Sequence, residues 1–115
     1  MRYMLLIYTD EKTEPKDGSP EQMKMFEGYG RFTEEVNKSG ASQSSARLRP
    51  IADATSVRVR DGKTVVTDGP FAETREQLAG YYLLNCKDLD QAIALAAMIP
   101  GAEYGSIEVR PVFEM

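Results

Sequence analysis

The sequence has 115 residues, 42% of them hydrophobic and 28% charged, and its 14 basic against 18 acidic residues give a net charge of −4. That is the size and make-up of one globular domain, and it lacks the basic stripe that phosphate backbones demand, so nucleic acid is not an expected partner. Histidine is absent and cysteine occurs once, which removes imidazole catalysis and leaves a zinc site almost without ligands.

The chain opens with an apolar run, Tyr3 to Tyr8, short enough to read as a strand. Asp10, Glu11 and Lys12 follow it at once, so it is not a secretory leader, and no run approaches the ~20 apolar residues of a membrane span. A lone cysteine cannot form an internal disulfide. A cytoplasmic protein without membrane contact is the expectation.

Residues 9–18 are polar, with proline and glycine, and read as a surface loop. Ser19, Pro20 and Gln22 then announce a helix as N-cap, first position and capping box. Met25, Tyr29, Phe32 and Val36 recur on one face of it, and Gly40 closes it. Gly28 and Gly30 inside this helix suggest a close backbone approach. Part of the Gln43–Arg49 stretch has the pattern of an edge strand.

Asp61-Gly62, flanked by Ser56–Arg60 and Lys63–Thr67, predicts a two-residue type I′ hairpin. Its register places Val57, Val59, Thr64 and Val66 on one face, expected to meet the core, with Arg58, Arg60, Lys63 and Val65 on the other. Beyond the Asp68–Glu73 corner, Thr74 and Gln77 have capping-box spacing in a short turn. Gly80 to Cys86 is a second strand apolar on both faces. Asp88 and Gln91 cap a second helix, with Leu89, Ala92, Ile93, Ala96 and Ile99 as its stripe and Pro100-Gly101 as its stop. Tyr104–Arg110 is a last strand, Ile107 and Val109 inward.

The order is strand, helix, strand or hairpin, strand, helix, strand. It fits a single α+β domain over residues 1–115, a ferredoxin-like antiparallel sheet with two helices on one face and an added β-hairpin. Residues 43–49 and the 56–67 hairpin compete for the second main strand. The two strands that would lie centrally are the two that are apolar on both faces. A second copy packed sheet against sheet would cover the helix-free side, so a homodimer is expected.

Several segments resemble the DGPF branch of the YCII-related proteins: Arg2-Tyr3-Met4-Leu5-Leu6-Ile7-Tyr8, Tyr29-Gly30-Arg31-Phe32, Val57 to Lys63, Val66-Thr67-Asp68-Gly69-Pro70-Phe71-Ala72-Glu73-Thr74, Gln77 to Tyr82, and Gly105 to Pro111. The resemblance spans nearly the whole chain and implies a small domain of dimeric α/β-barrel type. Some YCII-type relatives carry a histidine–aspartate pair in a cleft and others act on lactone-like ring-cleavage products; without histidine that chemistry does not transfer. DGPF members are often encoded beside alternative sigma factors, which implies a regulatory or interaction module as the alternative to an enzyme.

Asp68 is the first candidate catalytic group. Its usual Asx-turn partner would be the N–H of Pro70, which has none, so its carboxylate turns to Phe71, Ala72 or an arginine, or stands free at a cleft. Tyr8, at the end of a central strand, is the candidate hydrogen-bond donor. Arg47, with Arg49 nearby, can hold a small anionic molecule, and Phe71, Tyr82 and Glu73 are the other candidate binding residues. Each has a plainer reading: a turn residue for Asp68, core or sheet packing for Phe71, Tyr8 and Tyr82, a solvated loop for Glu73, a solvated edge for Arg47. Cys86 reads as a buried, inert thiol. No cofactor or metal is implied. The residues fit either a small-molecule-binding or acid–base enzyme domain, or a non-catalytic interaction module.

Overall fold

The computed structural model describes residues 1–114. In chain order it has β1 (Arg2–Thr9), α1 (Pro20–Ser39), β2 (Ser42–Arg47), a 3₁₀ turn at Ile51–Asp53, β3 (Thr55–Arg60), β4 (Lys63–Asp68), β5 (Gln77–Asn85), α2 (Leu89–Met98), α3 (Gly101–Tyr104) and β6 (Ser106–Pro111). The fold is α+β.

Helix α1 begins as its sequence dictates. Ser19 Oγ accepts from the Gln22 N–H at 3.1 Å, and Gln22 Oε1 reaches back one residue beyond the cap to accept from the Gly18 N–H at 2.8 Å. At the other end Gly40 takes φ +71°, and the Gly40 and Ala41 N–H groups donate to Asn37 and Val36. Phe32 and Val36 are buried on the expected stripe. Gly28 is where another segment comes close, since a Cβ there would lie 2.8 Å from Pro100 Cγ; at Gly30 nothing lies within 4 Å.

The main sheet has the order β2-β5-β1-β6, every pair antiparallel. Ser42–Arg47 thus supplies the outer strand beside β5, and the 55–68 hairpin stands apart as a separate two-stranded sheet. Leu5 lies opposite Tyr82 on one side and Val109 on the other. Tyr3, Leu5, Ile7 and Leu84 join Phe32, Val36, Ala92, Leu95, Ala96 and Ile99 in one core between the sheet and the helices, against which Ile107 and Val109 pack. Met4, Leu6, Tyr81 and Leu83 alternate with these and face away from the helices, half-buried.

Three expectations are corrected. Among the described residues there are three α-helices rather than two: Pro100-Gly101 does not end the helical structure but opens the short α3, Gly101–Tyr104, closed by the Gly105 N–H to Gly101 O, so the last strand begins at Ser106 and not at Tyr104. The hairpin has the predicted register, Arg60 opposite Lys63 through Val57 opposite Val66, but its valine face does not meet the core: Val57, Val59 and Val66 are 62–63% exposed. Alternation fixes which residues share a face and says nothing of what covers it. Helix α2 is rotated from its predicted stripe, burying Ala92, Leu95, Ala96 and the following Ile99 while Leu89 and Ile93 stay exposed. It is apolar almost all round, so its periodicity did not determine the buried side. Its cap is as predicted, Asp88 Oδ1 accepting from the Gln91 N–H at 2.9 Å.

Candidate functional site

Two concavities lie on opposite faces of the sheet. The inner one, about 380 Å³, sits between α1 and the helix-covered face. The outer one, about 890 Å³ and more open, lies between the end of the sheet, the 48–54 segment and the Pro70–Ala72 corner.

The inner cavity is built from strand alternation. Thr9 continues the inward series of Tyr3, Leu5 and Ile7 and is buried with only 6% exposure. Its hydroxyl donates to Glu14 Oε1 at 2.5 Å, which holds that carboxylate at the cavity wall. Tyr29 descends from α1, and Tyr82 rises from β5, where its ring meets Phe32 edge-on at 4.7 Å. Arg47 ends β2 opposite Gly80 and lines the opening. Gly80 is obligatory there, because a Cβ would lie 2.7 Å from the Ala46 carbonyl oxygen.

Charge in this cavity is sparse. Among the described residues the ion pairs are Arg2–Glu114, Arg49–Asp53 and Arg110–Glu108, so Arg47 has none. Burial pushes the Tyr29 phenol up, with Tyr82 and Glu14 adding to the shift and Arg47 opposing it. Burial also raises Tyr82. Both phenols are therefore protonated donors at neutral pH. One cation, one carboxylate and several tyrosines, Tyr104 among them, in a lining that also includes Thr9 and Ser45 suit a small anion with a flat apolar body. No group of three or more Cys, Asp or Glu among the described residues is placed to hold a metal ion, and no described helix is long and apolar enough to cross a membrane.

The sequence candidates divide between the two faces. Arg47 and Tyr82 line the inner cavity. Tyr8 and Phe71 line the outer one, Phe71 being 79% exposed. Arg49, at the outer cleft, is tied to Asp53 at 2.9 Å. Asp68 ends β4 opposite Thr55, exposed and outside both cavities, and Glu73 is likewise exposed and outside both. Among the described residues, neither of these two cavities brings Asp68, Tyr8 and Arg47 together. The corner is held instead by its backbone: the Gly69 N–H donates to Ala54 O at 2.7 Å, and Gln77 Nε2 donates to Ala72 O at 2.8 Å. Asp68→Asn should accordingly leave stability within about 0.5 kcal/mol, as surface changes do, measured by urea unfolding. A loss of several kcal/mol would mean that the carboxylate holds the corner.

Tyr29 and Glu14 escaped the sequence reading. Tyr29 lies on the apolar stripe of α1, where aromatics are ordinarily core, and Glu14 lies in a polar loop. The available signal was Thr9, a polar residue in register with three inward apolar ones.

The full chain, residues 1–115, matches the model of the YCII-related domain. The protein belongs to the YCII-related family. An uncharacterized protein of Rhizobium meliloti (strain 1021) is similar to this YCII-related chain, 37% identical over 114 residues that cover 97% of this chain and 92% of the relative. The chain has no histidine; in this YCII-related domain Glu14, Tyr29, Tyr82 and Arg47 are among the polar residues of the inner cavity.

Proposed function

We propose that this YCII-related domain binds a small anionic molecule in the inner cavity and is equipped for acid–base chemistry on it without histidine or metal. The observation that carries the reading is Arg47, a guanidinium without an ion pair among the described residues, at the opening of an aromatic-lined cavity. Arg47 is exposed and so open to an incoming ligand, and its planar fork suits the two oxygens of a carboxylate. Tyr29 and Tyr82 bracket the body of the ligand and donate hydrogen bonds. Glu14, fixed by Thr9, is the group placed to accept or return a proton. Tyr8 and Phe71 serve the outer cleft, and Asp68 and Glu73 belong to the corner.

The finer architecture follows the same reading. The sheet order, with β1 and β5 central and the helices on one face, supports a ferredoxin-like half of a dimeric α/β barrel of the DGPF branch. The helix-free face supports a homodimer. The single buried Cys86 suits a reducing compartment, and we place the domain in the cytoplasm.

Benzoate, a flat carboxylate, is the probe. It is expected to bind the wild type, seen as shifts of the Tyr29 and Tyr82 ring resonances in NMR titration. Arg47→Gln should weaken it about tenfold or more, the equivalent of about 1.4 kcal/mol, whereas Glu14→Gln should leave it within about threefold, since no proton moves on binding. Absence of binding, or equal affinity in Arg47→Gln, would discard the site.

A further inference from the structure

The β3–β4 hairpin leaves the body of the domain as an arm. Among the described residues its two strands pair only with each other. Its root is tied down by the Gly69 N–H to Ala54 O at 2.7 Å, by Ser56 Oγ to Gly69 O at 2.8 Å and by Arg58 to Phe71 O at 3.2 Å. Beyond the root it carries Val57, Val59 and Val66 on one face at 62–63% exposure, and Val65 on the other at 44%. A two-stranded hairpin alone in water is marginal, and one that presents a valine face to solvent is a surface waiting for contact.

The dimensions of the whole chain agree. Its accessible surface is 8260 Å², whereas a compact monomer of this mass exposes about 6,300 Å². Its radius of gyration is 16.0 Å, against about 13 Å for a compact domain of this length. An obligate interface removes about 1,000–2,500 Å² from each partner, and the excess of about 2,000 Å² lies within that range. The molecule is a slab only 18 Å thick, one layer of helices on one sheet. Its second uncovered apolar surface is the helix-free sheet face with Met4, Leu6, Tyr81 and Leu83. Two such surfaces on one chain, an arm and a flat, satisfy each other through a two-fold axis.

We infer that the arm is a clasp: each copy lays Val57, Val59 and Val66 onto the helix-free side of a second copy, so that two chains hold one another by exchanged arms as well as by facing sheets. This rests on the homodimer proposed above. An arm anchored at the DGPF-type corner also gives that corner its task, which is to set the angle at which the hairpin leaves the body.

The test is Val57→Glu combined with Val66→Lys. These residues are cross-strand partners, so the new charges pair with each other and the hairpin persists, while the face becomes costly to bury. Sedimentation velocity of the wild type at micromolar concentration is expected to show a dimer, and the double variant should raise the dimer dissociation constant about 100-fold or more with unchanged far-ultraviolet circular dichroism. A monomeric wild type would overturn both the dimer and the clasp. A dimeric wild type with a double variant of equal affinity would overturn the clasp alone. Should the variant fold poorly, amide exchange in the wild type decides: protection at Val57, Val59 and Val66 that disappears on dilution supports exchanged arms. Protection that does not depend on concentration, or none at all, overturns them.

Discussion

Gly105→Ala is expected to be the most damaging single substitution in the chain, costing at least about 4 kcal/mol and leaving little folded protein at physiological temperature. Gly105 stands between α3 and β6, where the chain turns into the edge strand that pairs with β1. A methyl group there would lie 2.0 Å from the Tyr8 carbonyl oxygen, 3.0 Å from Thr9 Cα and 3.1 Å from the Tyr8 carbonyl carbon. All three are backbone atoms of β1, so no side-chain rotation relieves the overlap. The strand would have to withdraw, and its pairing of Tyr8 with Ser106 and Ile7 with Ile107 would go with it. Thr9 would also lose the position from which it holds Glu14. Urea unfolding followed by circular dichroism measures the effect; a midpoint near that of the wild type would show that β1 and the α3–β6 turn are further apart than described.

Phe32→Ala is expected to cost about 3–5 kcal/mol, the range for truncating a fully buried phenylalanine. Phe32 has no exposed surface and is among the largest side chains of the core. Its ring meets Tyr82 edge-on, with the planes at 61°, so truncation removes an aromatic pair as well as leaving a cavity. Tyr82 is the wall shared by core and inner cavity. The substitution should therefore weaken benzoate binding too, even though Phe32 does not line that cavity. Chemical denaturation and the benzoate titration together check it. A loss of under about 1 kcal/mol would mean that the surrounding side chains close over the space.

The elements were legible in the sequence wherever the chemistry is local. Ser19, Pro20 and Gly40 bounded α1 because caps satisfy backbone groups within a few residues. Asp61-Gly62 fixed the register of the hairpin for the same reason: Asp61 takes φ +53° and Gly62 φ +73°, the turn this pair favours. The short α3 was missed locally, since Pro100-Gly101 reads as a stop but opens one more turn; the other failures depended on distant parts of the chain. The valines of the arm alternate like any half-buried strand, and only the separation of β3–β4 from the main sheet reveals that their own body leaves them bare. The side that α2 buries was hidden by its apolar circumference.

The site was legible only in fragments. Arg47 and Tyr82 were named with Tyr8 and Phe71, yet the two pairs stand on opposite faces. Deciding this needs the pairing of Arg47 with Gly80 and of Leu5 with Tyr82, together with the irregularity between Ile7 and Tyr8. None of these is written in a single strand. Glu14 became visible only once Thr9 had been placed.

The alternation of β1 thus has a consequence for how this domain can change over time. Of the odd positions, Tyr3, Leu5 and Ile7 belong to the core and Ile7 and Thr9 line the chamber beneath α1, whereas the even positions Met4 and Leu6 face the helix-free side of the sheet. Because neighbouring residues point in opposite directions, substitutions on one face of these eight residues can accumulate with little effect on the other. One strand carries two separate records, interleaved letter by letter.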